Sequence, residues 1–326
     1  MNLVESYKDD LKLIEKPWTR VWVTALVAGL ILMPWFSSEH LVFVFTLIFI
    51  YAIGIQGQNI LIGYTGQISL GQAGFLAIGA FSFAHFMNVG SPMLLSLIGA
   101  GIMAGLAGVL VGFPSLRLKG PYLAIVTLGF GIAVYQLLTS FEFLSGGRMG
   151  MVVPRLPELF GMSKAMTMYY FTFSLCVVFT LLTYNLISSY IGRTFIAIRD
   201  NEIAAEVMGV NLTRYKLLSF AISSFYTGVH GALYGMLLGF LDPQMFSFQE
   251  TLTMFVAVVI GGLASCEGAL FGAAFVILVP QVFSDFKAMI PVIFGVTVVL
   301  IMIFEPMGLA GRWFKFRLYW KNWPFR

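Results

Sequence analysis

The feature that most constrains this chain is a succession of apolar runs, each of about 15 to 25 residues, separated by short polar breaks. A helix of that length spans the hydrocarbon core of a bilayer and satisfies its own backbone hydrogen bonds. The runs lack the period-two alternation of a membrane β-barrel, which excludes a porin-like fold. The pattern therefore predicts an all-α polytopic membrane protein.

Ten transmembrane helices are expected from the positions of these runs. With both termini in the cytoplasm, only Arg148, Arg155, Lys164 and Lys287 of the 19 lysines and arginines fall on the outer side. Adding or removing one span would abolish this bias toward the cytoplasmic side. The bias therefore supports an even number of transmembrane helices. The expected spans are 18–36, 41–62, 68–88, 92–113, 121–140, 167–188, 215–239, 250–265, 268–284 and 288–307.

The chain divides into three parts by composition. Residues 1–17 are charged with a weak helical period and predict an interfacial segment on the cytoplasmic face. Residues 18–310 form the transmembrane domain. Residues 311–326 alternate basic and aromatic residues, a pattern that next to a membrane helix is typical of an anchor to anionic lipid and not of nucleic-acid binding.

A polar island at 189–216 interrupts the apolar pattern and predicts a docking surface. We expect a helix of about two turns, with Asp200 as N-cap and Gly209 as the left-handed residue that ends it. A helix this short needs a packing partner, and Ile203 and Val207 would form its apolar stripe beside an acidic ridge of Glu202 and Glu206. The small Ala204 and Ala205 would let that partner approach closely. The alternative is an ordinary amphipathic loop helix lying on its own membrane domain. The docking helix comprises Asp200, Asn201, Glu202, Ile203, Ala204, Ala205, Glu206, Val207, Met208 and Gly209.

The stretch 54–74 is rich in glycine and amide residues, which is unusual for a membrane span. Irregular backbone and amides at membrane depth are tolerated where they are buried in protein or line a water-filled cavity. The stretch therefore predicts a broken or re-entrant helix pair beside a translocation pathway, although amides that only cross-link helices would give the same pattern. The candidate pathway residues are Gln56, Gln67, Ser69, Gln72 and His230.

His230 and the glycines of the fourth span have simpler interpretations. His230 is the histidine nearest a membrane midplane, where a proton relay is conceivable, but its glycine neighbours favour a packed side chain. Small residues recur at helical spacing in the fourth span and predict a helix-packing face. They are Gly101, Gly105, Gly108 and Gly112.

Motifs of enzymes are missing from the sequence. It contains no Gly-Lys dipeptide and hence no P-loop, no H-E-x-x-H and no G-x-S-x-G. Cys176 and Cys266 have no metal or redox spacing and are interpreted as inert small hydrophobes. We therefore expect a protein that is not an enzyme and has no metal and no cofactor of its own.

Three stretches together resemble a known family. GYTGQISLGQAGFLAIGAF at 63–81, LRLKGPYLAIVTLGF at 116–130 and GRTFIAIRDNEIAAEVMGVNLTRYKLLSFAIS at 192–223 resemble the permease subunit of branched-chain amino acid ABC importers, the LivM-like family. The resemblance covers nearly the whole chain. The E-A-A-x-x-x-G motif of general importers would place a glutamate at Ile203, so the match is to a type II-like and not a type I-like permease fold.

The resemblance implies a set of partners and a location. These are a second homologous permease in a heterodimer, two cytoplasmic ATPase subunits that use the ATP, and a periplasmic or extracellular substrate-binding protein. It implies a multi-pass protein of the bacterial inner membrane, with residues 200–209 as the coupling helix to an ATPase.

The sequence is also compatible with other functions. Relatives that carry urea or short amides share the scaffold, so the substrate is weakly encoded. An ion-coupled secondary carrier would need transport by this chain alone. A structural or assembly subunit is the third alternative.

Overall fold

The computed structural model describes residues 17–116, 118, 120–147, 150–156, 161–283, 289–305 and 308–313. Residues 1–16 of the expected interfacial segment 1–17 and residues 314–326 of the basic-aromatic tail lie outside these residues. Helices dominate the described chain, and a helix occupies each of the ten expected spans. The expectation of an all-α chain is confirmed.

The elements follow one another with short connections. The long helices are α1 Pro17–Phe36, α2 Glu39–Asn59 with a π-helical continuation Ile60–Tyr64, α3 Gln72–Asn88, α4 Met93–Ser115 and α5 Pro121–Ser140. After a four-residue α6 Glu142–Ser145 come β1 Met151–Val152, α7 Lys164–Ser188, α8 Tyr190–Asp200, α9 Glu202–Val207 and α10 Leu212–Leu238. The chain continues with β2 Phe240–Leu241, a 3₁₀ turn Pro243–Phe246, α11 Phe248–Gly261, α12 Cys266–Val282 and α13 Ile290–Phe304.

Helices long and apolar enough to cross a membrane are found in the described residues. By length and composition there are 4 such helices, at Glu39–Tyr64, Met93–Pro114, Pro121–Ser140 and Lys164–Ser188. Shorter apolar helices lie at Thr24–Phe36, Phe248–Gly261, Cys266–Val282 and Ile290–Phe304. A chain with several such helices is a multi-pass membrane protein.

The centre of the bundle is α10, which packs against α2, α3 and α4. The glycines of α4 make close packing possible: a Cβ on Gly101 would lie 2.7 Å from the Phe225 ring, and one on Gly112 would lie 3.0 Å from Leu217. These contacts confirm the predicted packing face, since membrane helices associate where small residues let backbones approach.

The two ends of the bundle differ. One end carries α8 and α9, and we call it the α9 end. The other carries the two-stranded antiparallel sheet in which Met151 pairs with Leu241, and we call it the sheet end. Gly239, with φ of +76°, ends α10 in the left-handed conformation just before β2.

Candidate functional site

The polar island folds as two short helices at the α9 end. The Ser189 hydroxyl caps α8 by accepting the Gly192 N–H at 3.4 Å. One face of α8 is buried, with Phe195 and Ile198 each 1% exposed. The island is therefore held against the membrane bundle by α8, while α9 follows it after a single residue.

The first cap of α9 differs from the sequence prediction. Asp200 is the last residue of α8, and Asn201 is the N-cap, its Oδ1 accepting the Ala204 N–H at 3.0 Å. The reason is the short connection: a cap needs extended backbone, and that conformation falls at Asn201, with φ of −159° and ψ of 106°. The prediction that Asp200 caps α9 was wrong by one residue.

The end of α9 follows the prediction. Gly209 has φ of +88°. Its N–H donates to the Glu206 carbonyl at 2.9 Å, and the Val210 N–H donates to the Ala205 carbonyl at 3.0 Å. These two bonds form a Schellman motif, which satisfies carbonyls that would otherwise be left open. A side-chain cap at Asn201 and a backbone cap at Gly209 therefore hold this six-residue helix.

The outer face of α9 is apolar and open. Ile203, Val207 and Met208 are 70%, 81% and 83% exposed. Ala205, which the sequence placed at the contact with a partner, is only 5% exposed and belongs to the inner face. The alanine contact predicted at Ala205 is therefore wrong, whereas Ala204 stays on the exposed side.

Glu202 does not share an exposed ridge with Glu206. Its carboxylate accepts a hydrogen bond from the Lys216 ammonium at 2.6 Å. The Lys216 side chain is nearly buried, so the pair fixes the first turn of α9 to the first turns of α10. Glu206 remains exposed. The acidic ridge is reduced to one residue because the buried lysine needs a counter-charge.

Arg199 joins the island to the middle of the amide-rich stretch. Its Nη1 donates to the Gly63 carbonyl at 3.0 Å. Its aliphatic part packs on Gly66, where an added Cβ would lie 3.0 Å from Arg199 Cγ. The guanidinium also pairs with Asp200 at 3.0 Å. No sequence pattern predicts this role, and from the sequence Arg199 is interpreted only as one of the basic residues that orient the chain in the membrane.

The helix break predicted in this stretch is present. α2 loosens into the π-helical turn at Ile60–Tyr64, and residues 65–71 are not helical before α3 begins at Gln72. Gln67 donates to Ser219 at 2.7 Å, and Gln72 accepts from Thr227 at 2.8 Å. These partners are eight residues apart on α10, about 12 Å of rise, so the break runs inside the bundle along two turns of α10.

The amides of the stretch serve mainly as cross-links. Gln56 donates to Thr180 at 2.8 Å and accepts from Thr183 at 3.2 Å, both on α7. Asn59 donates to the Ser265 carbonyl at 2.8 Å, at the turn between α11 and α12. Ser69 is fully buried and accepts from the Gly71 N–H at 3.4 Å. The structure thus favours the cross-linking alternative for the side chains of Gln56, Gln67 and Gln72, while Ser69 makes only this local contact.

His230 is packed in the centre of α10. Its ring lies 4.7 Å from that of Tyr51 and 6.2 Å from that of Tyr234, measured between centroids. Among the described residues neither ring nitrogen has a hydrogen-bond partner. Gly54 makes room for the ring, since any Cβ there would collide with it. The geometry is that of a packed aromatic side chain.

Metal chemistry has no support in the described part of the chain. No group of histidine, cysteine and acidic side chains there could hold a metal ion. Both cysteines are free thiols, Cys176 buried and Cys266 half-buried. The candidate site is a capped helix with an open apolar face. The Glu202–Lys216 pair joins it to α10, and Arg199 of the preceding helix contacts the Gly63 carbonyl beside the break.

Comparison with known proteins gives consistent matches. The family model described as branched-chain amino acid transport system / permease component matches residues 40–305. The high-affinity branched-chain amino acid transport system permease protein LivM of Escherichia coli K12 is 34% identical, covering 89% of this chain and 74% of that protein. The permease protein LivH of the same strain is 23% identical, covering 80% and 91%. No solved structure matches the chain.

Proposed function

The chain belongs to the family of branched-chain amino acid transport permease components, and from that premise we propose that it forms half of the translocation pathway of an ABC importer. Its substrates are branched-chain amino acids, as the names of the similar proteins suggest. The observation that carries the proposal is the open apolar face of Ile203, Val207 and Met208 on a capped helix at the α9 end.

The partners follow from the incomplete surfaces. Two ATPase subunits supply the energy, and one of them receives α9. A second homologous permease completes the pathway, a proposal supported by the similarity of this chain to both LivM and LivH of one strain. A periplasmic or extracellular binding protein delivers the substrate at the sheet end. In this proposal the ATP is used by the partner subunits, because the sequence of this chain contains no P-loop.

The mechanism uses the links at the α9 end. Closure of the ATPases displaces α9, and the Glu202–Lys216 pair transmits the displacement to α10. Arg199 transmits it to the carbonyl of Gly63, at the π-helical turn before the break. A π-helical turn and glycines absorb such changes readily, so the break is the element that alternates between two arrangements.

The location follows from this arrangement. The protein lies in the bacterial inner membrane, with the α9 end and both termini in the cytoplasm, where ATP is present. The positive-inside distribution of the 19 lysines and arginines supports this orientation.

Copurification tests the proposal. The tagged chain is extracted in mild detergent from its own cells, and its partners are identified. The expected result is a second permease and an ATPase at comparable amounts, both lost when Val207 and Met208 are replaced together by glutamate. If the unmodified chain purifies without an ATPase and takes up leucine when an ion gradient is applied, the protein is a secondary carrier.

A further inference from the structure

Two cavities lie along one side of α5. The outer one, about 310 Å³, is at the sheet end between Thr139 and the segment that holds Asp242 and Gln244. The inner one has the same volume and contacts Leu128, Ile132 and Tyr135 of α5. The four α5 residues follow the spacing i, i+4, i+7 and i+11, so they share one face, which we call the cavity face. It extends over about 16 Å of the helix.

The broken segment forms part of the wall of the inner cavity. Burial alternates along residues 65–71: Gln67 and Ser69 are buried, while Ile68 is 38% exposed and Leu70 is half-buried. Side chains of extended backbone alternate in this way. Gln67 therefore turns toward Ser219 of α10, and the opposite side of the segment, through Leu70, turns toward the inner cavity.

The inner cavity is unsuited to contact with lipid tails. Non-helical backbone at membrane depth occurs only where protein or water covers it, because unsatisfied N–H and C=O groups are costly in hydrocarbon. The break beside the cavity is such backbone. α5 approaches it closely, since a Cβ on Gly71 would lie 2.6 Å from the Thr127 carbonyl oxygen. The cavity face thus turns toward a covered or aqueous space.

We propose that the cavity face of α5, together with Leu70, is the wall that this subunit contributes to the translocation pathway. The inner cavity receives the aliphatic side chain of an amino acid in transit, and the outer cavity, with the Asp242 carboxylate and the Gln244 amide, is its polar entrance. This rests on the proposed function and replaces the buried amides as the pathway surface.

The size and the lining of the inner cavity fit this occupant. At about 310 Å³ it is at the small end of ligand pockets, which suits a single amino acid. Leu128, Ile132 and Phe248 offer apolar contact to a branched side chain. The Thr251 hydroxyl already accepts a hydrogen bond from the Ala73 N–H at 3.1 Å. Apolar contact without strong polar anchors allows a substrate to enter and to leave.

Cysteine accessibility tests the wall directly. In the complete complex, with Cys176 and Cys266 replaced by alanine, Ile132→Cys and Leu70→Cys are treated with a charged thiol reagent. Leu137→Cys is the matched control, because Leu137 is 49% exposed on the opposite face of α5. We expect the first two to react, at a rate that changes during ATP-driven leucine transport, and the control to react only with a lipid-soluble maleimide. Reaction of Ile132→Cys with the maleimide alone would place lipid in the cavity and overturn the proposal.

Filling the cavity gives an independent test. Ile132→Trp should lower leucine uptake by about tenfold or more, the cost of a misfit in an apolar pocket, while ATP hydrolysis stimulated by loaded binding protein persists. Leu137→Trp should transport like the parent. If the parental complex transports and Ile132→Trp transports equally well, the cavity assignment is wrong and the proposed function stands. If the parental complex shows no ATP-driven uptake, the proposed function fails, and this inference with it.

Discussion

At the scale of single residues, Gly209 and Asn201 decide whether α9 exists. Asn201 supplies the cap for the first turn, and Gly209 permits the two carbonyl-satisfying bonds of the last turn. A helix of about two turns is not stable in isolation, so it depends on its caps and its packing. The apolar trio of Ile203, Val207 and Met208 is therefore presented in one geometry only while both caps hold.

Gly209→Val should remove that geometry. No atom lies within 4 Å of an added Cβ, so the cost comes from the left-handed backbone alone, about 1 to 3 kcal/mol for a β-branched residue. Gly209→Asn is the matched control, because asparagine tolerates this conformation. We expect normal membrane abundance for both variants and loss of ATPase copurification for Gly209→Val. Equal ATPase recovery from both would show that the cap does not matter for docking.

Val207→Glu tests the apolar face without disturbing the caps. A charge in a desolvated contact should weaken ATPase binding by about 2 kcal/mol or more, about thirtyfold in affinity. Thr213→Glu, an exposed position at the start of α10, adds the same charge nearby. Binding of the purified ATPase to each variant in detergent measures the difference. If Val207→Glu binds the ATPase with the same affinity as the parent, the apolar face of α9 is a solvated loop surface and not the ATPase contact.

At the scale of elements, the strut formed by Arg199 connects α8 to the break between α2 and α3. Its guanidinium holds the Gly63 carbonyl, and its aliphatic part covers Gly66. The break is thus joined through one side chain to α8, the helix that directly precedes α9.

Arg199→Ala should uncouple hydrolysis from transport. The complex should assemble and hydrolyse ATP, because the α9 face is intact, but leucine moved per ATP should fall. Arg193→Ala is the control: Arg193 is also on α8, but its Nη1 donates to the Ser188 carbonyl just before its own helix. A loss of assembly by Arg199→Ala, or a normal ratio of leucine to ATP, would contradict the role of the strut.

The elements could be predicted from the sequence, while their contacts could not. Apolar runs located a helix at every expected span, and Gly209 ended α9 as expected, because these signals are local. The partners of the amides are distant: Gln56 meets Thr180, and Asn59 meets Ser265. Sequence periodicity does not predict contacts between residues so far apart in the chain. The burial of Ala205 could not be predicted either, because it depends on which face of α9 turns inward. The cavity face of α5 is likewise defined only by the segments that pack beside it.

At the scale of the whole molecule, the described chain has one rigid centre and two kinds of surface left open. α10 is packed by α2, α3 and α4 through small residues, which resists deformation. The open surfaces are the α9 face at one end and the cavity face along α5. Under the proposed function, such a subunit works by moving against partners that cover these two surfaces.

Reconstitution into liposomes decides whether this chain transports only within a complex. The complete complex, with binding protein outside and ATP inside, is compared with the same chain alone under ATP and under proton or sodium gradients. We expect leucine uptake only by the complete complex, dependent on ATP hydrolysis and lost with Val207→Glu. Uptake by the lone chain driven by an ion gradient would contradict it.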